Sequence, residues 1–108
     1  MPINYDLEYT RLANKLTQLF RNEIRKLGLV SNDSKPHLVD SIQWTVKKTS
    51  NGYNLQMESF DYFVYLDSKY NITNNVFKTT EYRDIENKIA DLEIERFLSE
   101  ALKDIKTN

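Results

Sequence analysis

An Asn51-Gly52 pair stands between two segments in which apolar and polar residues alternate, and this feature constrains the fold more than any other. Asn-Gly is the dipeptide that two-residue type I′ turns prefer, so the pattern predicts an antiparallel β-hairpin with this pair at its tip. The predicted register pairs Ser50 with Tyr53, Lys48 with Leu55, Val46 with Met57 and Trp44 with Ser59. It places five apolar residues on one face of the hairpin: Trp44, Val46, Tyr53, Leu55 and Met57.

A two-stranded hairpin is only marginally stable in water, so its apolar face needs cover from other elements. Residues 4–27 and 80–106 repeat apolar residues at spacings of mostly three and four, which predicts two long amphipathic helices. In the second helix the apolar stripe shifts phase near Glu93, which predicts either a bend or contacts with two partners at different heights. We therefore expect an α+β fold, in which a long N-terminal helix precedes the hairpin and a long C-terminal helix packs on this small sheet. The 108 residues fit one domain, residues 1–108.

The segments between these elements have weaker patterns. Leu38 to Ser41 fits either a short helical turn or chain that leads straight into a strand. Residues 60–66 are apolar and aromatic, and over so short a run periodicity does not distinguish a short helix from a strand. Residues 68–75 contain three asparagines and one serine, which predicts a loop. Val76 and Phe77 would then form a short strand or anchor that loop.

The sequence contains no recognisable catalytic constellation, so we expect a protein that is not an enzyme. It has no cysteine, and its one histidine, His37, lies in the polar segment 31–37, so a transition-metal site lacks its usual ligands. Gly28 and Gly52 are isolated, which excludes a phosphate-binding loop. Carboxylates fall among lysines and arginines on predicted helix surfaces, as is typical of a solvated face: Asp61, Asp67, Glu81, Asp84 and Glu86. We expect no catalytic residue, no cofactor and no metal.

The charge balance bears on the class of partner. The formal net charge is −1, which gives no overall field to attract nucleic acid or a membrane surface. No apolar run approaches the roughly 20 residues of a membrane span, and the start of the chain does not resemble a signal peptide, so we expect synthesis in the cytoplasm. The charge is uneven, however: residues 1–28 carry five basic and three acidic side chains, whereas residues 81–106 carry five and eight. This pattern fits either two solvated helix faces or head-to-tail complementarity between copies.

Aromatic residues make up 12% of the chain and are concentrated in residues 60–66. So small a domain cannot easily bury all of them, so they either complete the core or form a subunit interface. The candidate interface residues are Phe60, Tyr62, Phe63, Tyr65 and Leu66. The candidate contacts with other partners are four basic residues: Arg11, Lys15, Lys47 and Lys48. The basic residues also leave a nucleic-acid-binding module open, although Glu8 and Glu23 interrupt the patch.

Two short segments resemble a known family. Leu38-Val39-Asp40-Ser41-Ile42 is similar to the "leucine, x, x, serine, isoleucine" segment that leads into a hairpin in the small tail-completion or neck proteins of tailed bacteriophages. Tyr62 to Asp67 is similar to that family's "Tyr-Ala-x-x-x-Glu" stretch after the hairpin. The order of elements also matches in outline over most of the chain. The chain departs from the family after Asp67, where Ser68-Lys69-Tyr70 replaces an aromatic-Gly-Thr turn.

The resemblance implies a structural protein of the virion, made in the host cytoplasm. Such proteins form homo-oligomeric rings at the head–tail junction or the top of the tail tube. They contact the connector or head-closure ring on one side and tail proteins on the other, and meet nucleic acid only as DNA passing through a channel. The residues themselves leave two other interpretations open: a small regulatory module that binds a host protein, and a nucleic-acid-binding module.

Overall fold

The computed structural model describes residues 3–28, 38–59 and 62–106. The elements follow one another as α1 (Tyr5–Lys26), α2 (Leu38–Ser41), β1 (Gln43–Thr49), β2 (Gly52–Glu58), α3 (Tyr62–Tyr70), α4 (Ile72–Phe77) and α5 (Thr80–Lys106). The expected α+β class is confirmed, with two long helices around a two-stranded antiparallel sheet. The predicted polar loop 31–37, with His37, lies outside the described residues.

Helix α1 has the boundaries that its amphipathic pattern predicts. The Asn4 side chain caps it by accepting a hydrogen bond from the backbone N–H of Leu7 at 3.1 Å. Gly28 follows its last turn with a φ of +72°, a conformation that costs glycine little. The stripe that α1 buries is long: Tyr9, Leu12, Ala13, Leu16, Thr17, Phe20 and Ile24. Because so much apolar area lies along one face of α1, the other elements can pack against this helix.

The hairpin forms, but its register differs from the prediction by two residues. Trp44 pairs with Met57 and Lys48 with Tyr53, so the two turn residues are Ser50 and Asn51. Gly52 is the first residue of β2, with a φ of +156°, and a Cβ there would lie 2.6 Å from Nη2 of Arg96. A side chain at position 52 would thus require the Arg96 guanidinium to move, and Gly52 begins the strand rather than supplying the tip of a type I′ turn. A shift of two residues leaves each side chain on its face, and the five predicted apolar residues do pack against the core.

One hydrogen bond fixes the sheet to α1. The backbone N–H of Trp44 donates to the Thr17 hydroxyl at 2.8 Å, and that hydroxyl donates to the Ala13 carbonyl at 2.9 Å. Thr17 is buried, so the strand N–H would have no water to replace this acceptor. Nearby, the Arg21 Nε–H donates to the Ile42 carbonyl at 3.0 Å. These contacts set the strand β1 at a fixed height along α1.

The described part of the aromatic segment, from Tyr62 onward, is helical rather than a strand, and the loop predicted for residues 68–75 is wrong. Helix α3 runs to Tyr70, and α4 begins after a single left-handed residue, Asn71, with a φ of +55°. The Asp67 carboxylate closes this turn by accepting hydrogen bonds from the N–H and the hydroxyl of Thr73, at 2.6 and 2.8 Å. Val76 and Phe77 lie in α4 rather than in a strand. Burial of Ile72 and Val76, one helical turn apart, outweighs the loop preference of the asparagines.

Helix α5 packs with its first half and extends well beyond the body of the fold. Its 27 residues correspond to a rod of about 40 Å. The helix reaches the hairpin tip at Arg96, beside Gly52, and continues ten residues further to Lys106. The radius of gyration is 17.2 Å, against roughly 13 Å for a compact domain of this length. Much of the distal half of α5 is not covered by the other described elements, and Ile94, Phe97 and Leu98 are exposed there.

We expect Thr17→Val to destabilise the fold by about 1–3 kcal/mol, because the Trp44 N–H loses its acceptor inside the protein. Thr17→Ser keeps the hydroxyl and is the matched control, with a smaller loss. Urea unfolding followed by the fluorescence of Trp44, the one tryptophan, measures both. Equal stability of the Val and Ser variants would show that the hydrogen bond does not hold the sheet on α1.

Candidate protein interaction surfaces

The aromatic segment contributes less exposed surface than its sequence suggests. Phe63 is 2% exposed and packs with its ring centroid 6.5 Å from that of Phe20, so it belongs to the core. Leu66 is half-buried against that core, whereas Tyr65 is 66% exposed. Phe60 lies outside the described residues, as does the side chain of Tyr62. Phe63 therefore packs inside the monomer, and an interface at Phe60, Tyr62, Phe63, Tyr65 and Leu66 stays a prediction.

The four basic candidates do not form one patch. Arg11 and Lys15 lie on the solvent side of α1, where Arg11 pairs with Glu8 at 3.4 Å. Lys47 and Lys48 are neighbours on β1, so their side chains point to opposite faces. Lys48 lies 3.8 Å from Asp6 at the start of α1 and 5.9 Å from the centroid of the Tyr53 ring. Lys15 differs from the others because it borders a groove.

That groove runs between α1 and α5 and has a volume of about 520 Å³. Its apolar lining comes from Leu12 and Leu19 on α1 and from Ile85 on α5. The charged residues around it are Lys15, Glu81, Asp84 and Lys88. None of the ion pairs in the described part of the chain involves these four residues. An apolar floor with unpaired charges at its edge is the type of surface that receives apolar side chains from a partner.

A second groove, of about 250 Å³, is lined largely by aromatic side chains beside the sheet. Tyr9 stacks on Tyr53 with ring centroids 4.4 Å apart, and Phe77 stacks on Tyr82 at 4.3 Å. The buried Nε1–H of Trp44 has no acceptor among the described residues. The first pair joins α1 to the hairpin, and the second joins α4 to α5. The groove is therefore chiefly a boundary where elements of the same chain pack together.

Another exposed apolar surface outside these grooves lies on the distal half of α5, and we call it the distal stripe. It comprises Ile94, Phe97 and Leu98, which are 58%, 69% and 53% exposed. Their spacing of three and four residues places them together on one side of the helix. In the sequence, the phase shift near Glu93 indicates this surface, whereas the aromatic content predicts an interface in residues 60–66.

The distal stripe faces away from the body of the protein. The proximal half of α5 packs through Ile85, Ile89 and Leu92. At 3.6 residues per turn, the mean direction of that proximal set and the mean direction of the distal stripe differ by roughly 180° around the helix. A bend of α5 toward its own domain would therefore not bury the distal stripe. The sequence leaves two alternatives for α5, a bend or contacts with two partners at different heights along the helix. The second alternative fits this geometry better.

Contacts at the middle of α5 hold the helix in this orientation. The Tyr9 hydroxyl donates to Glu93 at 3.2 Å, and Arg96 lies 3.7 Å from both Glu93 and Glu100. Burial, together with the charge and the hydrogen bond of Glu93, raises the pKa of Tyr9 to about 12. The hydrogen bond that Tyr53 donates to Asp6 at 2.6 Å raises the pKa of Tyr53 as well. Both phenols are thus held in their protonated, hydrogen-bond-donating form.

Within residues 3–28, 38–59 and 62–106, no group of three or more His, Asp or Glu side chains is placed to hold a metal ion. None of the helices in this part of the chain is long and apolar enough to cross a membrane. Comparisons with protein-family models, curated proteins and solved structures find no match to this chain.

We expect the stability of the protein to depend on Tyr9 at alkaline pH. Because folding raises the pKa of Tyr9 from 10 to about 12, its contribution is complete below pH 10 and is lost as the pH rises through 12. Over that range the wild type should lose about 1–2 kcal/mol more than Tyr9→Phe, which has no phenol to ionise. Chemical unfolding at a series of pH values measures the difference, in which the contributions of Tyr53 and Tyr82 largely cancel. Parallel pH profiles would contradict the raised pKa of Tyr9, whose largest cause is burial.

Proposed function

We propose that this protein is a structural assembly component that acts without catalysis and binds other protein subunits through the distal stripe of α5. The observation that carries the proposal is the exposure of Ile94, Phe97 and Leu98 on the side of the helix opposite the packed face. Single exposed apolar residues are normal on protein surfaces, but a row of three at helical spacing is characteristic of a helix that packs against a partner.

The more specific proposal is a ring-forming neck or tail-completion component of a tailed bacteriophage, which joins the head connector to the tail in the virion. It is supported by the resemblance of the Leu38–Ile42 and Tyr62–Asp67 segments. It is also supported by the order of elements and by the excess of acidic residues in α5 over those in α1. The partners would be other copies of the chain, the connector or head-closure ring, and tail proteins. A host-binding regulatory module could use the same stripe but would stay monomeric by itself.

We expect the purified chain to associate with rising concentration, and substitutions in the distal stripe to prevent this. Ile94→Ser with Phe97→Ser removes most of the exposed apolar area, and should leave a species of 12.8 kDa at concentrations where the wild type is a small multiple of that mass. The matched control is Val64→Ser, because Val64 is 72% exposed but lies on α3. Light scattering measures the masses. Association of the stripe variant at wild-type concentrations would contradict the proposal.

The phage assignment has its own test. Antibody raised against the chain should label tailed virions at the head–tail junction, as seen by immunogold electron microscopy of particles from the same source. Label at another position on the particle, or none on any particle, would contradict the neck assignment and leave the assembly role to be judged by the light-scattering result alone.

A further inference from the structure

The charges around the distal stripe bear on which surface covers it. Between Asp91 and Ala101 the sequence contains four acidic residues and one basic residue, Arg96. Arg96 is already engaged by Glu93 and Glu100, whereas Asp91 and Glu95 form no ion pair in the described part of the chain. If two distal stripes packed against each other, unpaired acids would meet across the contact. Like charges in such positions are unfavourable, so the partner surface should be apolar with basic residues at its edge.

The groove between α1 and α5 meets these requirements. Leu12, Leu19 and Ile85 supply an apolar lining, and the exposed Lys15 and Lys88 lie at its edge, with no ion-pair partner among the described residues. The groove also has two acids, Glu81 and Asp84, which lie nearer the start of α5 than Lys88 does. The solvent side of α1 adds further positive charge, since the first 28 residues have two more basic than acidic side chains. The basic end of the groove is thus the end at Lys15 and Lys88.

A chain cannot fill its own groove with its own distal stripe. Ile85 and Ile94 belong to one continuous helix, nine residues or about 14 Å apart along its axis, and they point in roughly opposite directions. A distal stripe that fills this groove must therefore belong to a different molecule. Stripe and groove are different surfaces. When the stripe of one copy occupies the groove of another, the pair still has one free groove and one free stripe, so further copies can add. Such a contact is heterologous, and repeated it gives a ring or a filament.

We propose that the distal stripe of one copy docks in the α1/α5 groove of the next, with Asp91 and Glu95 placed against Lys15 and Lys88. This inference rests on the proposed assembly function and names its partner as a second copy of the same chain. It also assigns Lys15 a role as an edge residue of the groove, separate from that of Lys47 and Lys48 at the hairpin.

The test uses two full-length variants that are each deficient in one surface. The stripe variant carries Ile94→Ser and Phe97→Ser, and its groove is intact. The groove variant carries Lys15→Glu and Lys88→Glu, two changes at exposed positions, and its stripe is intact. We expect each variant alone to associate at least about tenfold more weakly than the wild type. Mixed in equal amounts, they should form a dimer of two 12.8 kDa chains and nothing larger, because the dimer has no further competent surface.

A charge exchange adds a rescue. Introducing Asp91→Lys and Glu95→Lys into the groove variant should restore association, because the two sets of charges are then reversed together. Lys47→Glu is the control for a lysine outside the groove and should associate like the wild type.

The outcomes separate the two proposals. If the groove variant associates like the wild type while the stripe variant does not, the groove is the wrong partner surface and the assembly function stands. If mixing gives no dimer, the heterologous contact is likewise wrong. If the stripe variant associates like the wild type, the proposed function itself fails. A wild type that is monomeric even at high micromolar concentration overturns the pairing of stripe and groove.

Discussion

Burial of one long apolar face on helix α1 is the interaction on which the rest of the fold depends. The two-stranded hairpin cannot stand alone in water, and α1 covers its apolar face. Helices α2, α4 and α5 also pack on α1, so each element is placed by its fit to the same surface. The hydrogen bond from Trp44 to Thr17 fixes the height of the sheet, and the contact between Tyr9 and Glu93 fixes that of α5. Once α5 is set in this way, its distal stripe necessarily faces outward.

Sequence patterns predicted the elements that extend over many residues. Both long helices have enough turns for their periodicity to be unambiguous, and the faces of the hairpin follow from alternation alone. The register did not follow: the turn lies at Ser50 and Asn51, and Gly52 pairs with Thr49 as the first residue of β2. The turn preference of Asn51-Gly52 is local, whereas the register also depends on how the hairpin packs on the rest of the fold. The loop prediction for residues 68–75 failed for a similar reason. Its asparagines favour loops, but Ile72 and Val76 gain more by packing as one helical turn against the core.

The candidate surface was less predictable than the fold. Aromatic content predicts an interface in residues 60–66, yet composition does not indicate which side of a short helix is buried. Phe63 lies in the core, whereas Tyr65 is exposed. The signal for the distal stripe was present as the phase shift near Glu93. Its meaning depended on which part of α5 the other elements cover, and only the tertiary structure shows this. The groove beside Lys15 could not be read from the sequence either, because its walls come from two helices some 60 residues apart.

The claim that other copies bind the distal half of α5 is tested most directly by hydrogen exchange. The exchange is measured by mass spectrometry at low and at high protein concentration. In the free chain this half has little tertiary cover, so its amides should exchange quickly. On association, protection should rise around residues 94–101 and, in parallel, around residues 12–19 at the groove, while the hairpin tip is unchanged. Concentration-dependent protection elsewhere, with residues 94–101 exchanging equally fast in both samples, would contradict the claim.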